Sequence, residues 1–478
     1  MVTGEAFVAL LPELVATGFL ILTLLVGVFS ERNVGLVAGL GALGTLVVFG
    51  SAAGLLASGF SGSFFGGGFV VDGFALYFKL IVAGSAFFAV LAAARWSGYT
   101  GDAGEYLTLI LAVLLGSILL VSMRDLFGVF LAIELATIPS YAMVAFDRSR
   151  RESAEGGMKY LITGVIASSV LLYGIVLIYG VSGSAALSDV ANALTGGLSP
   201  VALVGLVLLV SGFAFKVSAA PFHFWTPDAY QGAPTSAAAF LSVAPKAAIF
   251  AILLRILLEG MPEAAPAWTA LMAVLAIITM FVGNLFALRQ RNVRRMLAYS
   301  SVAHSGYILA AFAALQGDAL PTAVEAVLIY AAAYALMNMG AFLTIDLVGE
   351  DAKSFNGLFR TRPALALAMG VFMAALVGIP PFSGFFGKAW VILAGAQSGS
   401  VLVYVVVGAL VVNSVLSVPY YFGIIRNMFF EEPTKDAQLE PGGTGAVKFS
   451  VYALAVATTL FIFFVGPLSA LARASGLL

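Results

Sequence analysis

Four ionisable side chains lie where so apolar a chain would be expected to hold none. Glu134 sits in LFGVFLAIELATIPSYAMV, Lys216 in LVLLVSGFAFKVSAAPF, Lys246 in FLSVAPKAAIF and Lys388 in VGIPPFSGFFGKAW. A charge near the centre of a bilayer costs roughly 2.5–3.5 kcal/mol on insertion scales, so such residues face a protein interior or a wet cavity and point to an ion path. One carboxylate and three amines suit proton movement, since burial disfavours a charged amine and a nearby carboxylate favours it. Prolines accompany all four. A proline lacks an N–H and blocks the bond to the carbonyl four residues back. Pro221 thus frees Val217, beside Lys216, and Pro139 frees Leu135, beside Glu134. Pro245 directly precedes Lys246, and Pro380 and Pro381 interrupt the stretch before Lys388. Freed carbonyls at membrane depth persist only against protein or water. The competing reading makes the lysines neutral packing residues that only specify the fold.

Such residues need elements that cross a membrane. The 478 residues are 61% hydrophobic and 10% charged, with mean hydropathy +1.06, against about 45–50% apolar and about 25% charged in soluble domains. A crossing helix takes about 20 apolar residues. Fourteen windows qualify, near 7–29, 34–58, 74–95, 105–123, 125–146, 158–180, 201–230, 236–258, 266–288, 293–315, 321–348, 364–397, 400–426 and 447–470. The windows at 201–230 and 364–397 are interrupted.

Charge placement orients them. With the odd-numbered connections cytoplasmic, that side holds 15 of the 23 Lys and Arg residues, from Arg32, Arg95, Arg148, Arg150 and Arg151 through Arg289–Arg295 to Lys353, Arg360, Arg362, Arg426, Lys435 and Lys448. The other side holds Arg124 and Arg473. This positive-inside bias puts both termini on the outer side; the expected location, which the bias itself does not select, is a cell's inner (plasma) membrane. The remaining six basic residues lie within the windows. Lys79 and Arg255 are near enough to an end to snorkel, and Lys159 is about one turn inside.

The two interrupted windows carry related runs, Ala-Ala-Pro-Phe-His-Phe-Trp at 219–225 and Ile-Pro-Pro-Phe-Ser-Gly-Phe at 379–385, five windows apart. An odd separation reverses direction, which is the inverted-repeat pattern of transporters. A shift of 170 residues matches Arg124 to Arg294 and Glu134 to His304. The expected architecture is all-α, with about 14 transmembrane helices and two inverted five-helix repeats broken at helices 7 and 12. Residues 1–103 form a three-helix segment, 104–260 the first repeat, 261–430 the second, and 431–478 the last helix.

Other features exclude chemistry. With no cysteine, thiolate metal sites, iron–sulfur clusters and disulfides are ruled out. His223 and His304 are the only histidines. They form no metal set; His223 is suited to capping or hydrating the first break and His304 to relaying a proton. Gly39-Leu-Gly-Ala-Leu-Gly44 matches a dinucleotide pattern but lies within an apolar window, so close helix packing explains it better. Gly66-Gly67-Gly68 reads as a loop turn. No basic, aromatic-interleaved cluster suggests nucleic acid. The N-terminal stretch lacks a signal peptide's basic region and cleavage site and is expected to remain as a helix.

The stretch Lys216-Val-Ser-Ala-Ala-Pro-Phe-His-Phe-Trp-Thr-Pro-Asp-Ala-Tyr-Gln-Gly-Ala-Pro-Thr235 resembles the seventh-helix motif of the antiporter-like membrane subunits of respiratory complex I. Arg294-Arg-Met-Leu-Ala-Tyr-Ser-Ser-Val-Ala-His-Ser-Gly-Tyr307 and Gly378-Ile-Pro-Pro-Phe-Ser-Gly-Phe-Phe-Gly-Lys388 are similar to two further motifs of that family. The Phe-Trp-Thr-Pro-Asp-x-Tyr-x-Gly form is most similar to the subunit N branch, whose mitochondrial counterpart is subunit 2. Branch L would add a long lateral helix, and branch M typically has a glutamate where Lys388 stands.

The resemblance implies a proton-translocating subunit of an NADH:quinone oxidoreductase with Glu134, Lys216, Lys246 and Lys388 in proton transfer. His304, Lys159 and His223 would be secondary, and Pro221, Pro380 and Pro381 would mark the helix breaks. It implies no cofactor on this chain, with FMN, iron–sulfur clusters and quinone on other subunits. The expected partners are a neighbouring subunit M, small subunits K, J, A and H, the hydrophilic redox arm indirectly, and the lipid bilayer. The expected cycle opens and closes a Glu134–Lys216 pair, driving a proton to Lys246 and past His304 to Lys388. The alternatives are a cation/proton antiporter of Mrp type, within a complex or alone, and a structural spacer.

Overall fold

The computed structural model describes residues 4–29, 33–100, 102–433 and 445–474, apart from the side chains of 95–100. Arg32 and Lys435, and the side chain of Arg95, lie outside the described residues. Each of the fourteen apolar windows coincides with one helix or a broken pair. Among the described residues, ten helices are long and apolar enough to cross a membrane, and the bent pair Gly445–Thr459 and Ile462–Arg473 makes eleven if it is one span. The expected fourteen exceeds this count for local reasons. Two windows are split by prolines into shorter helices, and Val293–Ala313 is diluted by Arg, Ser and His. Apart from helices, Gly62–Phe64 and Phe69–Val71 form a small antiparallel hairpin around Gly66 and Gly67.

Two helices form the centre. Nearly every residue of Thr235–Arg255 and Leu320–Val348 is buried, so polar groups on them meet protein. Peripheral helices such as Leu11–Phe29 and Val401–Phe430 instead expose Leu, Val and Phe along one side, as a lipid-facing surface requires. Gly41 and Gly44, within the dinucleotide-like run, lie against Val90 and Phe19.

The backbone repeats its own geometry. A Cβ on Gly116 would run into the backbone of Ala136, and one on Gly283 into that of Ala303. Asp125 caps its helix through Gly128 N and bridges Ala186; Asn292 caps its helix through Arg295 N and bridges Asp351. Gly116 to Gly283, Ala136 to Ala303 and Asp125 to Asn292 are all steps of 167 residues. This corrects the shift of 170: Arg124 corresponds to Arg291, and Glu134 to Ser301. The crowded run Arg289–Arg295 offers several arginines for a chance match, whereas caps and close contacts fix the register.

The breaks match separately. Ser218 (φ 62°) and Gly378 (φ 94°) hold left-handed backbone directly after the first half-helix, and the N–H groups of Ala219 and Ile379 reach back to Ala214 and Ala374. Each of these steps is 160 residues. Lys216 therefore corresponds to Leu376, and Lys388 to Asp228.

Candidate functional site

The first break separates Pro200–Lys216 from Trp225–Gly232, and the second separates Pro363–Val377 from Ser383–Gln397. Lys216 ends its helix, and its side chain is almost wholly buried. Its Nζ lies 3.5 Å from Glu134 Oε1. Between them stands Ser168, which accepts from Lys216 at 2.9 Å and donates to Glu134 Oε1 at 2.6 Å. The pair is thus held through a shared hydroxyl. Thr137 is a more distant partner of Lys216 at 3.4 Å.

A cavity of about 30 Å³ adjoins Lys216, lined by Ser117, Thr137, Ser140, Tyr160 and Pro245 among others. That is room for a water molecule among hydroxyl groups, and Pro245 lies on the helix of Lys246. Lys246 is itself buried, and its Nζ donates to Ser301 at 2.6 Å. Ser301 takes the place in the second repeat that Glu134 takes in the first.

The carbonyls released by Pro221, Pro245, Pro380 and Pro381 find polar partners here. Val217, four residues before Pro221, accepts from Ser305 at 2.6 Å. Leu241, four before Pro245, accepts from Tyr230 at 3.2 Å. Leu376 and Val377, four before Pro380 and Pro381, accept from Lys388 Nζ at 3.3 and 2.7 Å. An unmet buried carbonyl carries a penalty of about 1–3 kcal/mol, so the Ser305 and Lys388 bonds stabilise the two breaks, and those at the second break also occupy the Lys388 ammonium. Lys388 follows its break whereas Lys216 precedes its own. Yet the Lys388 ammonium reaches back to the carbonyl of Leu376, the residue in register with Lys216.

His304 lies one turn beyond Ser301. Its Nδ1 meets Tyr330 OH at 2.9 Å and its Nε2 meets Tyr421 OH at 3.3 Å, and Tyr421 is hydrogen-bonded to Ser300. Tyr330 packs on Gly387, next to Lys388, whose Nζ stands 4.6 Å from the ring centre of Tyr307. Lys388 also lines a cavity of about 460 Å³ with Gly378, Leu410 and Ser414.

Lys159 is half-exposed and pairs with Glu155 and Asp228, both at 2.7 Å, outside this axis. His223 is buried beside the first break against Phe224. Lys79 and Arg255 do not snorkel. Both are fully buried because carboxylates meet them inside: Glu13 of the Leu11–Phe29 helix at 2.6 Å for Lys79, and for Arg255 Asp72, just ahead of the Gly73–Thr100 helix, at 2.8 Å and Glu259, one turn on, at 2.7 Å. The hydroxyl partners Ser168, Ser301, Ser305, Tyr230, Tyr330 and Tyr421 are not singled out by the sequence. Their spacing gives no signal, although Tyr230, Ser301 and Ser305 fall inside the family motifs quoted above. Among the described residues no group of three His, Asp or Glu gathers as a metal set.

One end of the fold is held across the two halves. Arg295 pairs with Asp228, and Arg150 and Arg294 both pair with Glu350 at 3.0 Å. Arg294 also donates to the carbonyl of Ala233 and the hydroxyl of Thr235. Connections expected on the cytoplasmic side thus meet one another. Arg124 meets Glu259 at 2.6 Å in the separate cluster around Arg255.

Buried ionisable groups beside two broken helices, in a multi-pass helical membrane protein, define a transporter-like fold. The comparisons agree. Residues 123–417 match the family described as NADH:quinone oxidoreductase/Mrp antiporter, TM. The NADH-quinone oxidoreductase subunit N of Rubrobacter xylanophilus is 78% identical over 478 residues, all of both chains. That of Rhodospirillum rubrum is 35% identical, with 96% of this chain and 94% of the relative covered. Among solved structures, a chain of respiratory complex I from Thermus thermophilus with bound aureothin superposes with a TM-score of 0.82 at 32% identity, covering 97% of this chain and all of that one. A chain of the Mrp complex from Dietzia sp. has a TM-score of 0.86 at 21% identity, covering 98% of this chain and 97% of its own, a likeness of fold.

The chain belongs to the NADH:quinone oxidoreductase/Mrp antiporter membrane family. Within that family it falls with subunit N, as an antiporter-like membrane subunit of complex I.

Proposed function

We propose that this chain carries protons through the membrane arm, driven by quinone reduction elsewhere in the complex. The observation that carries this reading is the Glu134–Ser168–Lys216 bridge, adjoined by the small cavity that borders the Lys246 helix. A bridged pair has two states. With the hydroxyl and carboxylate engaged, the Lys216 ammonium is compensated. With Glu134 withdrawn, a buried ammonium is costly and its proton moves through the cavity towards Lys246.

From Lys246 the proton passes to Ser301 and, by His304 and Tyr330, to the surroundings of Lys388. Lys388 releases it on the side opposite the Arg294–Glu350 cluster. The bias of basic residues supports a cytoplasmic Arg294 side with the termini outside, and the membrane proposed is the plasma membrane. Residues 1–103, 104–260, 261–430 and 431–478 serve as N-terminal segment, two repeats and closing helix. FMN, iron–sulfur clusters and quinone belong to other subunits, and the neighbours are subunits M, K, J, A and H.

The test is redox-driven proton pumping by the whole complex in sealed vesicles, wild type against Lys246→Ala. A large loss with the complex assembled is expected. Unchanged pumping would make the charged axis structural.

A further inference from the structure

One buried carboxylate stands apart from this axis. Glu325, near the start of the Leu320–Val348 helix, is 3% exposed. Its Oε2 accepts from the Trp390 indole at 3.0 Å and the Ser469 hydroxyl at 2.6 Å, and its Oε1 accepts from Arg473 Nε at 2.6 Å. Trp390 is two residues beyond Lys388 on the same helix. Ser469 and Arg473 belong to Ile462–Arg473, which turns 74° from Gly445–Thr459 across Leu460 and Phe461.

This last half-helix covers one end of the second repeat. Phe461 and Val465 pack on Ile329 and Ala333, with Phe386 and Trp390 alongside. The two covered helices run antiparallel, since Ser383 meets Ala333, Gly387 meets Tyr330 and Trp390 meets Glu325. Glu325 therefore lies beyond Lys388, towards the end opposite the Arg294–Glu350 cluster. The Arg473 side chain is 70% exposed while its partner is buried, so the contact is anchored inside and reachable from outside.

We propose that Glu325 takes the proton that leaves Lys388, and that Arg473 is the latch controlling it. This rests on the reading that the chain carries protons and names the far end of that path. Closed, the guanidinium and two neutral donors satisfy the carboxylate, and Phe461 and Val465 seal the end. With Arg473 withdrawn, a buried carboxylate left with neutral donors is unfavourable unless it takes a proton. Lys388 then becomes a neutral amine and Glu325 a neutral acid, the proton crossing by water between them. When Arg473 returns, it favours the carboxylate again and the proton departs to the facing solution.

The chain has no cysteine, so Ile329→Cys gives it a single thiol beneath the half-helix; Ala333→Cys serves if that variant fails to assemble. In the whole complex in proteoliposomes, a membrane-impermeant maleimide is added to either side in turn and its attachment to this chain is followed by mass. Labelling is expected from one side only and at least about tenfold faster with Arg473→Ala, from the loss of one charge-assisted hydrogen bond. Glu325→Gln is expected to lose pumping and Glu325→Asp to regain it. Unchanged labelling in Arg473→Ala, or normal pumping in Glu325→Gln, overturns the proposal. If Lys246→Ala fails to pump while Glu325→Gln pumps, only the latch is wrong; if both pump, the proton-carrying reading fails.

Discussion

Replacing Ser168 with alanine isolates the step on which the proposed mechanism turns. The Ser168 hydroxyl accepts from Lys216 at 2.9 Å and donates to Glu134 at 2.6 Å, while the two charges stand 3.5 Å apart. Each bond to a charged group contributes about 1.5–3 kcal/mol. Part of that returns when the ammonium and carboxylate close on each other, which leaves a net loss of about 2 kcal/mol. At about 1.4 kcal/mol per factor of ten, the closed pair weakens roughly 30-fold against the open one. The assay is proton uptake per quinone reduced in sealed vesicles containing the assembled complex. Ser168→Ala should pump about tenfold less or worse, and Ser168→Thr, which keeps the hydroxyl, should retain most activity. Wild-type pumping by the alanine variant would refute a bridge-gated pair.

Three further outcomes follow from contacts described above. Ser301→Ala removes the side-chain acceptor of Lys246, worth about 1.5–3 kcal/mol, and should slow pumping while assembly, followed by native gels, stays intact. Lys79→Met strands Glu13 in the interior and should destabilise the subunit by about 3–5 kcal/mol; thermal unfolding should recover when Glu13→Leu is added. Gly283→Val drives a side chain into the Ala303 backbone and should cost about 1–3 kcal/mol or more, seen as poor assembly, with Gly116→Val behaving alike at its own repeat position.

What was legible in the sequence follows from the physics of burial. Glu134, Lys216, Lys246 and Lys388 announce themselves because a charge amid apolar residues is expensive, and Pro221, Pro380 and Pro381 because no helix runs through them unbroken. Ser168 and Tyr330 have no such cost. A hydroxyl in an apolar helix satisfies itself on a nearby carbonyl, as Ser85 does on Ile81, and only three-dimensional placement separates a relay from a spectator. Lys79 and Arg255 misled for a related reason: their partners Glu13, Asp72 and Glu259 are distant in sequence or near a helix end. The repeat register differs from the 170-residue shift because residue identity between the two repeats is low while caps and close contacts recur, so that Glu134 is matched by a serine.

The ion pairs that tie the halves together limit how this protein can move. Asp228 of the first half is bound to Arg295 of the second, and Glu350 is shared by Arg150 and Arg294. A transporter that works by tilting one half against the other would have to strip these partly buried charges from each other on every turnover, and reopen a core in which the central helices contribute to both halves. The stiffness this implies favours a machine whose frame stands still while protons, water and a few side chains shift inside it. Conformational energy arriving from a neighbouring subunit would then be felt as a change in electric field and hydration along the axis, with the backbone acting as a fixed dielectric frame.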